Sequence, residues 1–432
     1  MAPAGIAVAA TSLVIPTIDP SHMDTILLSS SLTRGVGGVQ TILRDLARGI
    51  EKSGRGVRFV HDAALPRVRM IETDNALGFR SFGCPMPVLV RHSVLLTLPV
   101  LLIYAPVALF HLARLLRRER ISVINGHYLE PYFIYLAFAG WLLRIPVVIS
   151  VHGADVDVYE EQPLMRRWAC YLTMRLATRI VACSNALAVQ TARLCPDARG
   201  KVTFIHNAIR PSEDESVARP GTPPTPFVLC ASRHVAKKGI DVLLRAFVRV
   251  VADVPEASLV LVGDGPLLVE HQKLAGSLGV ERRVLFVGGV PQVDVKSFID
   301  ACAVFVLPSR SEPFGLVILE AALSRKGIVA TRVGGVPEIL TDGVDGVLVN
   351  PDDPDALAAQ VVRLLRSPEL SDRLGAEAHR TLMARFLWTR WIHDYLVAFD
   401  ATMEPSRDRR VSARASWPIV RGAPSPTRRV RR

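Results

Sequence analysis

The stretch Pro308-Ser-Arg-Ser-Glu312-Pro-Phe-Gly315-Leu-Val-Ile-Leu-Glu320-Ala321 closes an apolar run that begins at Val304, and its reading decides the fold. A short buried strand ends in a proline loop, a glycine opens a helix, and two carboxylates stand eight positions apart. A helix starting near Gly315 aims its free N–H groups and its positive end beyond the strand. The backbone at Gly315, Leu316 and Val317 is therefore a ready site for a pyrophosphate. Glu312 precedes this helix and Glu320 lies inside it, so they can flank a phosphate and accept hydrogen bonds from hydroxyls on either side.

Outward from this unit the strand and helix alternation continues. FVLCAS (Phe227 to Ser232), SLVLVG (Ser258 to Gly263), VLFVG (Val284 to Gly288), GIVATR (Gly327 to Arg332) and GVLVN (Gly346 to Asn350) read as further strands. An N-terminal series starts with TILLSSS (Thr25 to Ser31), a turn around Gly35, Gly37 and Gly38, and a helix through Ile42, Leu43, Leu46 and Ile50. It continues through Val57 to Val60, Ser122 to Ile124, Val147 to Val151, Ile180 to Cys183 and Val202 to Ile205. Such alternation implies parallel sheets covered by helices on both faces. Between the series lies PSEDESVARPGTPPTP, a proline-rich hinge. The expected architecture is α/β, with two Rossmann-like domains facing a cleft. The divisions are a leader over 1–24, an N-terminal Rossmann-like domain over 25–210, the hinge over 211–226 and a C-terminal Rossmann-like domain over 227–385. A C-terminal helix over 386–403, docked by its aromatics, and a basic tail over 404–432 complete it. Met23 is read as close to the functional start.

With 432 residues, half of them hydrophobic and 21% charged, the chain is no disordered or disulfide-built protein. The net charge of +12 is concentrated at the end: residues 401–432 carry nine Arg against Glu404 and Asp408, which leaves a mildly basic body and argues against nucleic acid as a partner. Six scattered cysteines without a C-x-x-C pair favour a reducing, cytoplasmic setting. The dinucleotide fingerprint fails at Leu268, which follows Gly263-Asp264-Gly265 where a third glycine would stand, and no P-loop exists. Asp155 and Asp157 could clamp a divalent ion, but helix capping or solvation is the favoured reading, and both are expected to tolerate Asn.

The carboxylate pair resembles the E-x7-E element of the retaining, two-domain GT-B glycosyltransferases of family 4, and five further motifs agree in order. These are Gly37-Gly38, Ile149-Ser150-Val151-His152-Gly153, Cys183-Ser184, Ser232-Arg233 with Lys238-Gly239, and Gly334-Gly335-Val-Pro337-Glu338. The resemblance implies that Arg233 and Lys238 neutralise a donor diphosphate as its glycosidic bond breaks. It implies that Glu320 binds the nucleotide ribose, that Glu312 holds the donor sugar's hydroxyls and that His152 sits near the reacting carbon. Gly37 and Gly38 would let backbone approach the donor from the other domain. The chain departs from the family at two places. Arg325 and Gly327 stand where Gly and Pro are usual, and His206-Asn207-Ala208-Ile209-Arg210 replaces Pro-Asn-Gly-Val-Asp.

The expected activity is transfer of a hexose-type sugar from a nucleotide-diphosphate donor, with retention and with neither metal nor other cofactor. The rivals are a sugar-nucleotide epimerase, a phosphorylase and a catalytically inactive binding partner. The acceptor is a sugar or a lipid-linked sugar of cell-envelope or exopolysaccharide synthesis. Ser93 to Ala113 is a 21-residue run without formal charge, followed by Arg114, Arg117, Arg118 and Arg120. It is read as an interfacial patch at the inner face of the plasma membrane, ahead of an ordinary domain helix or a spanning one.

Overall fold

Strands flanked on both sides by helices read as near-continuous apolar runs, and most of those of this chain do. The computed structural model describes residues 24–29, 38–62, 71–74, 78–84, 86, 94–211 and 226–404. The leader up to residue 23, the glycine turn through Gly37, the hinge over 212–225, Ser93 and the tail from 405 lie outside the described residues.

The N-terminal half runs β1 (Thr25–Ser29), α1 (Gly38–Lys52), β2 (Gly56–Asp62), β3 (Ile71–Asp74), β4 (Arg80–Cys84), α2 (Val94–Arg118), β5 (Ile121–His127), α3 (Phe133–Leu143), β6 (Val147–Val151), α4 (Ala154–Asp157), α5 (Leu164–Leu176), β7 (Arg179–Ala182), α6 (Asn185–Leu194) and β8 (Val202–Phe204). The C-terminal half runs β9 (Phe227–Ala231), α7 (Ile240–Asp253), β10 (Ser258–Val262), α8 (Leu268–Ser277), β11 (Val284–Gly288), α9 (Gln292–Ala301), β12 (Val304–Leu307), α10 (Leu316–Leu323), β13 (Gly327–Thr331), α11 (Val336–Ile339), β14 (Val347–Val349), α12 (Pro354–Arg366), α13 (Pro368–Arg385) and α14 (Trp388–Met403). Every residue of β1, β6, β12 and β13 is buried.

The first sheet has the order β3-β4-β2-β1-β5-β6-β7-β8 and the second β11-β10-β9-β12-β13-β14. All pairings are parallel except β3 with β4. One face of the first sheet packs α2, α3, α5 and α6, and the other packs α1 and α14. Helix α14 therefore returns to the N-terminal half: Trp391, Tyr395 and Phe399 are buried with Ile26, Leu28 and Val123. Each such aromatic contributes about 2–3 kcal/mol on burial. The return crosses beside the hinge, where Ile209 N–H donates to the Phe386 carbonyl and Trp388 N–H to that of Ile209.

The charge-free run from Ser93 falls within α2. Ala108, Leu112, Leu115 and Leu116 are buried against the sheet, so the C-terminal half of that helix is a packed domain element. Among the described residues no helix is long and apolar enough to cross a membrane. Arg325, standing where the family favours glycine, adopts a left-handed φ of 54° just past α10, a conformation that costs an L-residue about 1 kcal/mol.

Candidate functional site

In an open parallel sheet the crevice lies beyond the carboxyl ends of the strands where the order reverses. That point in the second sheet is between β9 and β12, so the loop Ser232 to Gly239 meets the loop Pro308 to Gly315. Glycine permits the approach. A Cβ on Gly239 would strike the Pro308 carbonyl, and one on Gly334 or Gly335 the carbonyls of Glu312 or Pro313. The late glycine turn is thus a cradle for the Glu312 loop, and Gly335 N–H donates to the Glu312 carbonyl.

Lys238 Nζ lies 2.5 Å from Glu312 Oε2, which Ser309 Oγ approaches at 3.4 Å. The Arg233 side chain is exposed and holds no ion pair among the described residues. Burial pushes the Tyr128 hydroxyl upward, and Arg233, reaching it across the cleft, opposes that push. Helix α10 begins at Gly315, φ 110°, without a side-chain cap. Ile318 N–H bonds back to Gly315, while the N–H groups of Leu316 and Val317 make no bond among the described residues. Lys238 and an uncapped helix start thus meet beside Glu312, as an anion requires, with Arg233 on the same loop as Lys238.

A cavity of about 410 Å³ continues from there between the halves, lined by Leu316, Glu320, Gln292, Thr41, Arg210 and Trp388. Gln292 Nε2 donates to Glu320 at 3.1 Å, and Thr41 Oγ donates to the Gln292 carbonyl at 3.2 Å from the opposite domain. Burial pushes the Glu320 carboxyl up to about 7, against the lowering effect of Gln292. The cavity has the size of a nucleoside subsite, and its one carboxylate on α10 is the expected ribose ligand.

The reversal in the first sheet is between β1 and β5. Gly37 lies outside the described residues and Gly38 starts α1. His152 follows β6, and its ring is pinned from behind. His152 Nε2 and His127 Nδ1 are 3.0 Å apart, and His127 Nε2 is 2.8 Å from Asn125 Oδ1. The direction of every proton follows from one end. Asn125 Nδ2 donates to the Val148 carbonyl, which can only accept, so Oδ1 must face His127 and accept its Nε2–H. Burial holds His127 well below its ordinary range and His152 down to about 4, so both rings are neutral. His127 Nδ1 then accepts from His152 Nε2–H, and His152 Nδ1 is left as a buried acceptor without a partner. Asn125 Nδ2 also reaches Ser150 Oγ, to which Tyr395 on α14 donates.

Asp155 serves backbone. Its two oxygens accept from the N–H groups of Leu129, His152 and Gly153 at 2.8 to 3.2 Å, while burial lifts its carboxyl to about 6. This speaks against the expected tolerance to Asn at Asp155, because an amide has only one accepting atom and would lose at least one of these bonds. Asp157 instead pairs with Lys237 across the cleft at 3.1 Å. Among the described residues no three His, Cys, Asp or Glu side chains gather as a metal site.

A latch beside the site also joins the halves. Glu338, on α11, accepts from the N–H groups of Asn185 and Ala186 at the start of α6, and from His206 Nε2, each at 2.8 Å. Ser184 caps α6 and donates to the Pro313 carbonyl at 2.6 Å. Sequence reading missed the latch and the pair Asn125 and His127. Two polar residues at i and i+2 in an apolar central strand were the available signal for the latter. Of His206 and Arg210, noted only as departures, His206 bonds Glu338 across the halves, while Arg210 stacks on Trp388 of α14 at 4.4 Å and lies 3.8 Å from Asp45.

The comparisons with known proteins agree with this architecture. Residues 36–213 match the profile of Glycosyltransferase Family 4, and residues 212–381 that of Glycosyl transferases group 1. The chain is 35% identical over 283 residues to the alpha-D-kanosaminyltransferase of Streptomyces kanamyceticus, covering 61% of this chain and 73% of that one. It is 28% identical over 292 residues to the N-acetyl-alpha-D-glucosaminyl L-malate synthase of Bacillus anthracis, covering 66% and 76%. Among solved structures, Anabaena Alr3699/HepE in complex with UDP and glucose superposes with a TM-score of 0.68 at 20% identity, covering 88% of this chain and all of that one. With the two halves matched in order and the two-sheet cleft in place, the chain belongs to the GT-B glycosyltransferases of family 4, and is a glycosyltransferase.

Proposed function

We propose that this glycosyltransferase moves a hexose-type sugar from a nucleoside-diphosphate donor to a sugar or lipid-linked acceptor of cell-envelope or exopolysaccharide synthesis, with retention and without a metal ion. The observation that carries this reading is the meeting of Lys238 and the uncapped start of α10 beside Glu312, with the Glu320 cavity continuing from it. In the reaction the bond from the anomeric carbon to the diphosphate oxygen breaks, the bond to the acceptor oxygen forms, and the acceptor's proton leaves with the diphosphate. Charge therefore grows on the leaving oxygen, where Arg233, Lys238 and the N–H groups of Leu316 and Val317 stabilise it. Lys238, now held by Glu312, is shared with the phosphate when the donor binds. Glu312 then turns its accepting oxygens to the sugar hydroxyls, and Glu320 takes the ribose.

His152 Nδ1, the unpartnered acceptor of a neutral ring, is the atom left to accept a donor-sugar hydroxyl. The anomer, the proposed leaving group and the lack of a metal requirement are tested together. Nucleotide sugars are screened for thermal stabilisation, and the product of the best donor is examined by proton NMR with and without chelator. One donor is expected to stabilise the protein and to give a product of unchanged anomeric configuration in either condition. An inverted product, or turnover that chelator abolishes and Mg²⁺ or Mn²⁺ restores, contradicts the reading.

A further inference from the structure

The outer helix layer of the N-terminal half, on the sheet face opposite α1 and α14, exposes large apolar side chains at helical spacing. On α3 these are Phe138, Trp141 and Leu142, and on the neighbouring α5 they are Leu164, Met165 and Trp168. Trp141 and Trp168 are each 60% exposed and Leu164 77%, and Phe110 on the adjacent α2 is 64% exposed. The Phe138 and Trp141 rings touch, with centroids 5.5 Å apart. Folding normally hides such side chains, and a group of them on one face marks an interaction surface.

Charge identifies the partner. Helices α2, α3 and α5 contain six arginines and no Asp or Glu at all. Arg114, Arg117 and Arg144 are exposed and hold no ion pair among the described residues. Arg118 and Arg175 are paired with Glu119 and Asp197. The nearby acidic side chains, Glu130, Glu160 and Glu161, belong to the connections before α3 and α5, the last two at the same end of α5 as Leu164 and Met165, whereas Arg114, Arg117 and Arg144 lie at the opposite ends of α2 and α3. Tryptophans with an apolar flank and unpaired arginines match the interfacial zone of a bilayer, where indole sits at headgroup level and cations meet anionic phosphates.

We infer that the outward face of α3 and α5, with the arginines of α2 and Arg144 at its border, docks on an anionic phospholipid surface. This places the contact on the helices after α2, beyond the run from Ser93 to Ala113 where the sequence places it. The purpose of the contact rests on the proposed lipid-linked acceptor. The contact itself is measured without donor or acceptor, so its failure leaves the donor site untouched.

The test uses the full chain and vesicles of phosphatidylcholine, with and without phosphatidylglycerol, some carrying brominated acyl chains that quench nearby tryptophan. The chain is expected to sediment with the anionic vesicles and at least tenfold less with the neutral ones, and its fluorescence to fall with brominated lipid. Trp141→Gln with Trp168→Gln is expected to lower partition at least tenfold and to remove the quenching, while nucleoside-diphosphate binding stays unchanged as proof of folding. Arg117→Gln and Arg144→Gln are each expected to weaken anionic binding about fivefold. Equal binding to both vesicle types overturns the inference, as does quenching that survives the tryptophan pair, since it would come from Trp417 in the basic tail. A concentration-dependent dimer that the same pair dissolves, with vesicle binding unaltered, overturns it in favour of a protein interface.

Discussion

Glu338→Gln opens the latch between the two halves with the loss of one atom's identity. The carboxylate divides its oxygens between two N–H groups at the start of α6 and His206, each at 2.8 Å, with a side chain 19% exposed. Hydrogen bonds to a charged partner contribute about 1.5–3 kcal/mol each, and a negative charge at a helix start about 0.3–1 kcal/mol more. Glutamine keeps one accepting oxygen and turns an NH₂ towards a donor. The expected loss is therefore about 3 kcal/mol, which is roughly a hundredfold in the balance between joined and parted halves. The assay is thermal unfolding of the full chain together with the KM for the donor. The variant should melt several degrees lower and show a raised KM, whereas Arg380→Gln, which breaks a surface pair with an arginine 70% exposed, should do neither. The pH dependence has a fixed sign. Burial alone would raise the Glu338 carboxyl, but the bonds from His206, Ala186 and Asn185 outweigh it and hold the group below its usual 4.5. The latch then contributes fully above that value and is lost as acid brings pH down through the lowered one. A glutamine variant that melts and binds donor like the parent refutes the latch.

Asn125→Leu removes the acceptor of the His127 Nε2–H and frees that ring, so kcat is expected to fall at least tenfold with donor binding nearly unchanged; a rise in KM alone would argue against a positioning role. Because the Glu320 carboxyl is lifted to about 7, ribose binding by its ionised form should tighten nucleoside-diphosphate affinity between pH 6 and 8, and titration calorimetry of Glu320→Gln should show that slope abolished. Asp155→Asn strips an acceptor from the loop that carries His152, at a cost of about 1–3 kcal/mol in chemical unfolding; an unshifted midpoint would show that the backbone finds another partner.

Much of the fold is legible in the sequence because parallel strands buried on both faces are continuous apolar runs. The boundaries of β6 and β11 follow from composition alone. β3 and β4 are not legible: IETD and RSFGC are short and polar, and they exist because β4 extends the sheet beside β2 and β3 folds back on it. In the site, Glu312, Gly315, Lys238 and Glu320 are readable because a loop and one helix start place them locally. Glu338 and His206 are 132 positions apart, so no local pattern joins them. The helix expected over 386–403 begins at Trp388, since Phe386 and Leu387 are drawn into pairing with Ile209 at the crossing between domains.

The central claim is that the diphosphate is held where β9 and β12 diverge. Its most direct test is single-turnover transfer by Arg233→Ala and Lys238→Ala at saturating donor. Each should slow the chemical step about a hundredfold or more, the loss expected on removing one donor to a developing oxyanion, with the melting temperature retained. Two well-folded variants that transfer sugar at the parent's rate would contradict the account.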